Sequence, residues 1–189
     1  MSAHPRHTRE DGFSLIELMV ALSILMVGLL GLAQVFYFGL AIVGTSSAQL
    51  IAREKAREAI ESVHTARDTR TITWAQIRNV GNPDCSAWAG TTAAGGGRFT
   101  TAEHALLEAG PDGLVATADD TGVEKTPGPD NILGTGDDIA LQGFRRQIAI
   151  CDIGPNLRQI AVTIRFNGNS AVGARQRSYT LVTYISSFS

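Results

Sequence analysis

The stretch GFSLIELMVALSILMVGLLGLAQ, residues 12–34, decides how this chain is built. It is apolar almost throughout, has no proline, and is rich in Leu, Ala, Met and Ile. From Leu18 to Ala52 there is no Asp, Glu, Lys, Arg or His. A bilayer core takes about 20 apolar residues to span, so the run predicts a membrane helix. At 1.5 Å per residue, about 26 helical residues from Phe13 to Phe38 reach roughly 39 Å, more than a bilayer core. Gly28 and Gly31 interrupt the run and serve either flexibility or close helix packing. One residue is out of place: Glu17, a carboxylate inside an apolar helix, is costly there and marks a functional site, the plainer reading being that it snorkels at the membrane surface.

Upstream lies MSAHPRHTREDG, residues 1–12, which is polar and carries Arg6 and Arg9. A secretory signal runs from basic region through apolar core to a small-residue cleavage site. Here the small residue, Gly12, precedes the apolar run. A cut after Gly12 would leave the whole helix on the mature chain. Gly12 places no side chain at the scissile bond, so backbone can approach a peptidase closely. Removing residues 1–12 takes away two basic and two acidic side chains, so the net charge stays at −2.

This segment resembles the cleavage and methylation segment of type IV prepilins and of type II secretion pseudopilins. The likeness covers roughly residues 6–38, with Gly12 before the cut, Phe13 after it and Glu17 five residues into the mature chain. It implies that prepilin peptidase cuts between Gly12 and Phe13 and N-methylates the Phe13 amine. It also implies that Glu17 pairs with the Phe13 amine of a neighbouring subunit, setting register as a helix docks into a filament, a role in which buried charge is well attested. Major pilins of the family often carry a helix-breaking proline where this chain has Gln34.

The resemblance extends to architecture. It implies an α+β pilin fold, with a long N-terminal helix, membrane-embedded in its first half, packed on an antiparallel sheet. Expected divisions are a leader at 1–12, a transmembrane and polymerisation helix at 13–44, and an amphipathic helical half at 45–67. A globular head follows at 68–189, with a variable loop at 100–140 and a β-meander at 143–187. In TSSAQLIAREKAREAIESVHTAR, residues 45–67, Leu50, Ile51, Ala52, Ala56, Ala59, Ile60 and Val63 form one helical face. Between 68 and 100 the signals are weak: Ile72, Trp74 and Ile77 start a strand or a short helix, NPDC at 82–85 is a turn, and TTAAGGGRF at 91–99 reads as a flexible loop. The C-terminal part alternates cleanly. Phe144, Ile148 and Ile150 share one face; so do Ile160, Val162, Ile164 and Phe166; so do Tyr179, Leu181 and Ile185. Turns at 153–156 and 167–170 separate three antiparallel strands. These strands, with GLLGL at 28–32, are similar to minor pilins of the PilV type and to pseudopilins of the same size.

An internal near-repeat sits between helix and meander. GPDGLVATADD at 110–120 is followed, from Gly128, by GPDNILGTGDD at 128–138. Closely spaced oxygen ligands around glycine turns suit calcium, as in some pilins and pseudopilins, and the candidate ligands are Asp112, Asp119, Asp120, Asp130, Asn131, Asp137 and Asp138. The spacing is not that of an EF-hand, and a pair of solvated turns fits the same residues. No cofactor is required. Cys85 and Cys151 are the only cysteines. No CxxC or histidine cluster accompanies them, so zinc is not expected. Outside the cytoplasm they would form a disulfide; two separate buried thiols are the alternative.

The chain of 189 residues suits one modest domain with an appendage, and its net charge of −2 and pI of about 6.1 give no footprint for nucleic acid. It has no nucleophile elbow, HExxH or Walker loop, and His64 and His104 have no recognisable catalytic partner, so no enzyme is expected. The expected function is that of a structural subunit of a type IV pilus or pilus-like filament, a minor pilin in pilus assembly or modification and so in adhesion or motility. Its expected partners are prepilin peptidase, other pilin subunits, the inner-membrane assembly platform and the membrane itself. It would sit first as a single-pass inner-membrane protein with a periplasmic C-terminal domain, then in a filament at the cell surface. The alternatives are a minor pseudopilin of a type II secretion system and a single-pass anchored calcium-binding sensor.

Overall fold

The computed structural model describes residues 14–88, 90–93, 95–168 and 175–188. The leader, Gly12 and Phe13 lie outside them, as does much of the turn expected at 167–170. Helix α1 is Leu15–Asp68, followed by a 3₁₀ turn at Trp74–Gln76. Six short strands come next: β1 (Thr92–Ala93), β2 (His104–Ala105), β3 (Leu107–Glu108), β4 (Thr121–Val123), β5 (Lys125–Thr126) and β6 (Ile139–Ala140). Three long ones close the chain: β7 (Phe144–Gly154), β8 (Leu157–Gly168) and β9 (Arg175–Ser186). The architecture is α+β, a long apolar N-terminal helix followed by an antiparallel sheet, consistent with a pilin fold. Contacts divide the chain into two compact units, Met1–Ile42 and Val43–Ser189.

In the second unit, β7, β8 and β9 form an antiparallel meander in the register the alternation requires. Phe144 faces Phe166, Ile148 faces Val162 and Val162 faces Leu181, so one side of the sheet is apolar across three strands. The two phenylalanine rings stack with centroids 5.6 Å apart. This face packs on the C-terminal part of α1, whose contact stripe keeps Ala52, Ala56, Ala59 and Val63 of the expected face and leaves Leu50 out. Ala52, Ala56, Ala59, Val63 and Ala66 are buried, whereas Leu50 is 62% exposed and Ile51 and Ile60 are only half-buried. Small side chains let the helix approach the sheet closely, and the larger ones flank the contact. Leucine at Ala56 or Ala59 would overpack it by about 1–3 kcal/mol.

The connector from 68 to 100 is more ordered than its composition indicates. Arg158 of β8 is 2% exposed; it bonds Asp152, donates to the carbonyls of Trp74 and Ile77, and stacks 4.0 Å from the Trp74 ring centroid. This arginine clamps the 3₁₀ turn onto the sheet. The glycine run is not a flexible loop. Gly96 and Gly97 donate to the carbonyls of Val80 and Asn79, and Phe99 donates to Arg78. A Cβ on Gly97 would lie 2.0 Å from the Arg78 carbonyl oxygen, so glycine is required there for backbone to meet backbone. The run exists for close approach, which composition alone cannot distinguish from flexibility.

The outer edge of β7 is covered piecewise. β1 pairs with it at Cys151 and Asp152, and β2 pairs at Arg145 and Arg146. The gap between them is filled by one side chain. Fully buried Asn79 donates from Nδ2 to the Ile148 carbonyl at 2.8 Å and accepts from the Ile150 N–H at 2.8 Å through Oδ1. Its amide does there what a strand's peptide group would do.

Candidate processing segment and paired acidic loops

The first unit places the N-terminal candidate residues. Glu17 and Leu18 donate their N–H groups to the Ser14 carbonyl at 3.0 and 3.1 Å, which starts α1 just after the expected cut. Glu17 lies in the first turn, where the positive end of the helix dipole favours a carboxylate. Its carboxylate is exposed and has no hydrogen bond or ion pair among the described residues. From Leu15 to Leu40 the helix is long and apolar enough to cross a membrane, and none of that span is buried within the protein. Ser23, one of the polar residues in the span, returns its hydroxyl to the Met19 carbonyl at 2.8 Å and so presents little polarity to lipid.

In the second unit, the two near-repeats fold alike. Asp112 Oδ1 accepts from the Leu114 N–H at 2.9 Å, as Asp130 Oδ1 does from Ile132 at 2.8 Å. Asp120 Oδ2 accepts from Ala116 at 2.6 Å, as Asp138 Oδ2 does from Gly134 at 2.8 Å. The Thr117 hydroxyl donates to Asp119 at 2.7 Å, as Thr135 does to Asp137 at 2.5 Å. These donors hold the carboxyls of Asp119 and Asp137 below the usual carboxylate range. Positive φ falls at matching places: Gly113 and Asn131 at 69° and 56°, Ala116 and Gly134 at 65° and 94°. Asn131 thus serves as a residue that tolerates the left-handed region. Each loop ends in a two-stranded sheet, β3 with β4 and β5 with β6. Within the loops the seven expected calcium ligands therefore act largely as loop closures. No three His, Cys, Asp or Glu side chains among the described residues converge to hold a metal ion.

The loops differ in what covers them. Leu114, Val115 and Ala116 lie in the main core at 3% exposure or less. Their counterparts Ile132 and Leu133 are 59% and 62% exposed. Between the loops runs a charge relay that sequence reading missed. Arg146, fully buried on the helix-facing side of β7, bonds Glu124 at 2.9 Å, and Glu124 meets Lys55 of α1 at 2.9 Å. Burial pulls the Lys55 ammonium down, but its bonds to Glu58 and Glu124 outweigh this and raise it. The available signal was phase: in FRRQIAI, Arg146 falls on the same face as Phe144 and Ile148. Cys85 and Cys151 are joined by a disulfide with Cα atoms 6.0 Å apart, tying the segment after Asn79 to β7.

Residues 7–33 match the family model of the prokaryotic N-terminal methylation motif. No curated protein and no solved structure matches the chain. The matched stretch spans the end of the polar segment, the expected cut and the exposed helix as far as residue 33. It implies processing by prepilin peptidase, assembly with other pilins and anchoring in a membrane. By this motif, and by the apolar, unburied helix that runs on from it, the N-terminal part of this chain is that of a type IV prepilin-like protein.

Proposed function

We propose that this chain is cut after Gly12, methylated at Phe13, and built as a minor subunit into a type IV pilus or pilus-like filament. The observation that carries the reading is the helix from Leu15 to Leu40, apolar and unburied along its length, beginning just past the predicted cut inside a methylation motif. Such a helix needs lipid before assembly and neighbouring helices after it. Glu17 supplies the one charge in that surface and would pair with a Phe13 amine. The minor, PilV-like role rests on GLLGL at 28–32 and on the three C-terminal strands. The chain works as a structural protein, first anchored in the inner membrane with its second unit in the periplasm.

The test is mass spectrometry of sheared filaments, searching for a peptide that begins at methylated Phe13. Its presence there is the expected result. Methyl-Phe13 found only in membranes would point to a type II secretion pseudopilin instead, and mature protein retaining residues 1–12 would overturn the reading. Glu17→Gln is expected to leave cleavage intact and reduce incorporation by about tenfold, the effect of roughly 1.4 kcal/mol lost from a charge pair.

A further inference from the structure

The sheet protects its two edges unequally. At β7 the outer edge is covered by β1, β2 and the Asn79 amide. At the other end stands β9, which pairs with β8 along all twelve positions, from Arg175 opposite Gly168 to Ser186 opposite Leu157, without a register shift. No strand pairs with its far side among the described residues. Among the described residues, the only other partner of its backbone is Arg67, which donates to the Ser186 carbonyl. In an antiparallel edge strand, alternate residues aim both backbone groups outward, so about six residues of β9 present unpaired N–H and C=O groups.

Exposed edges are ordinarily blunted with proline, lysine, bulges or short length. β9 is long and has no proline, lysine or bulge; its charges are confined to Arg175 and Arg177, and Thr180–Ile185 is an uncharged run of strand-favouring residues. Val182 and Tyr184, beside the edge on the outer face, are 39% and 58% exposed. An edge of this kind adds a strand from another chain.

Charge narrows the occupant. Arg177 and Tyr179 share a face of β9, and the Arg53 guanidinium of α1 lies 5.6 Å from the Tyr179 ring centroid. Both Arg53 and Arg177 are exposed, and neither has a carboxylate partner among the described residues. A second β9 would bring no carboxylate to them. We infer that the free edge of β9 docks an extended segment of a different pilin-type subunit, with an Asp or Glu of that segment seated at Arg53 and Arg177. This rests on the filament-subunit reading.

The test uses the full chain in cells. The photocrosslinker p-benzoylphenylalanine is placed at Thr180 or Val182, with Glu61 on the polar face of α1 as control. Adducts with another pilin-type subunit, mapped to an acid-bearing segment, are expected from both strand positions and not from Glu61. Combining R53E and R177E is expected to lower them about tenfold, while the level of chain and its disulfide stay unchanged, so that a loss is not unfolding. Absence of adducts in cells whose sheared filaments contain methyl-Phe13 would overturn the proposal. So would adducts with a second copy alone, or adducts indifferent to the charge reversal. If the chain is missing from filaments but the strand adducts form in membranes, the filament reading fails and the docking edge stands.

Discussion

His104 shows how one residue carries the surroundings of the second unit. It sits on β2, with Nδ1 donating to the Ala105 carbonyl at 2.8 Å and Nε2 buried without a hydrogen-bond partner. Burial first, and then the guanidiniums of Arg146 and Arg145, push its pKa down, against the Ala105 carbonyl and Asp120, which pull it up. The folded state therefore holds the proton more weakly than the unfolded one. Stability is fully present above the unfolded pKa of about 6.5 and falls as pH drops below it. His104→Gln is expected to flatten the fall in melting temperature between about pH 6.5 and pH 5; an unchanged slope would place the sensitivity elsewhere. A residue that breaks its own local pattern stands out in a sequence even where its role does not. Glu17 did so in an apolar helix. Arg146 did so in an alternating strand, and its partners Glu124 and Lys55 came from segments that sequence alone does not bring together.

At the scale of elements, the duplicated loops provide a controlled comparison. They have the same turns, but only the first is covered. Leu114→Ala is expected to cost about 2–5 kcal/mol, as for a buried leucine. Ile132→Ala, at the matching place, is expected to fall within about 0.5 kcal/mol. Denaturant melts of both variants measure the difference, and equal costs would mean that the second loop is covered too. Calcium is a separate question for these loops. Since their carboxylates already accept from Thr hydroxyls and backbone N–H groups, a titration to about 1 mM calcium is expected to raise the melting temperature by less than about 2 °C. A larger rise would establish the cation as a ligand. Asn79 is the other element-scale device. Asn79→Ala leaves the buried Ile148 carbonyl and Ile150 N–H without their partner, at about 2–4 kcal/mol, and is expected to speed exchange of the Ile150 amide. Nothing in the residues around Asn79 signals this work, and only the gap between β1 and β2 gives it.

At the scale of the whole molecule, the disulfide closes a sequence separation of 66 residues. On the chain-entropy model its removal costs about 4 kcal/mol, so Cys85→Ser together with Cys151→Ser is expected to lower the denaturant midpoint by that equivalent. A loss under about 1 kcal/mol would mean that Asn79 and β1 hold the segment unaided. The sequence by itself determined the N-terminal helix and the three-stranded meander, the two parts of the α+β class that the resemblance implies. Each rests on a local period, 3.6 or 2, or on a run long enough to cross a bilayer. The methylation motif was equally legible, because a peptidase reads contiguous residues. Only the tertiary structure decided that alanines rather than leucine and isoleucine line the helix contact, that the glycine run is pressed against residues 78–81, and that one near-repeat is buried while its twin faces solvent. Those outcomes depend on how closely two elements approach and on what lies opposite, and neither is encoded in the residues at either place alone.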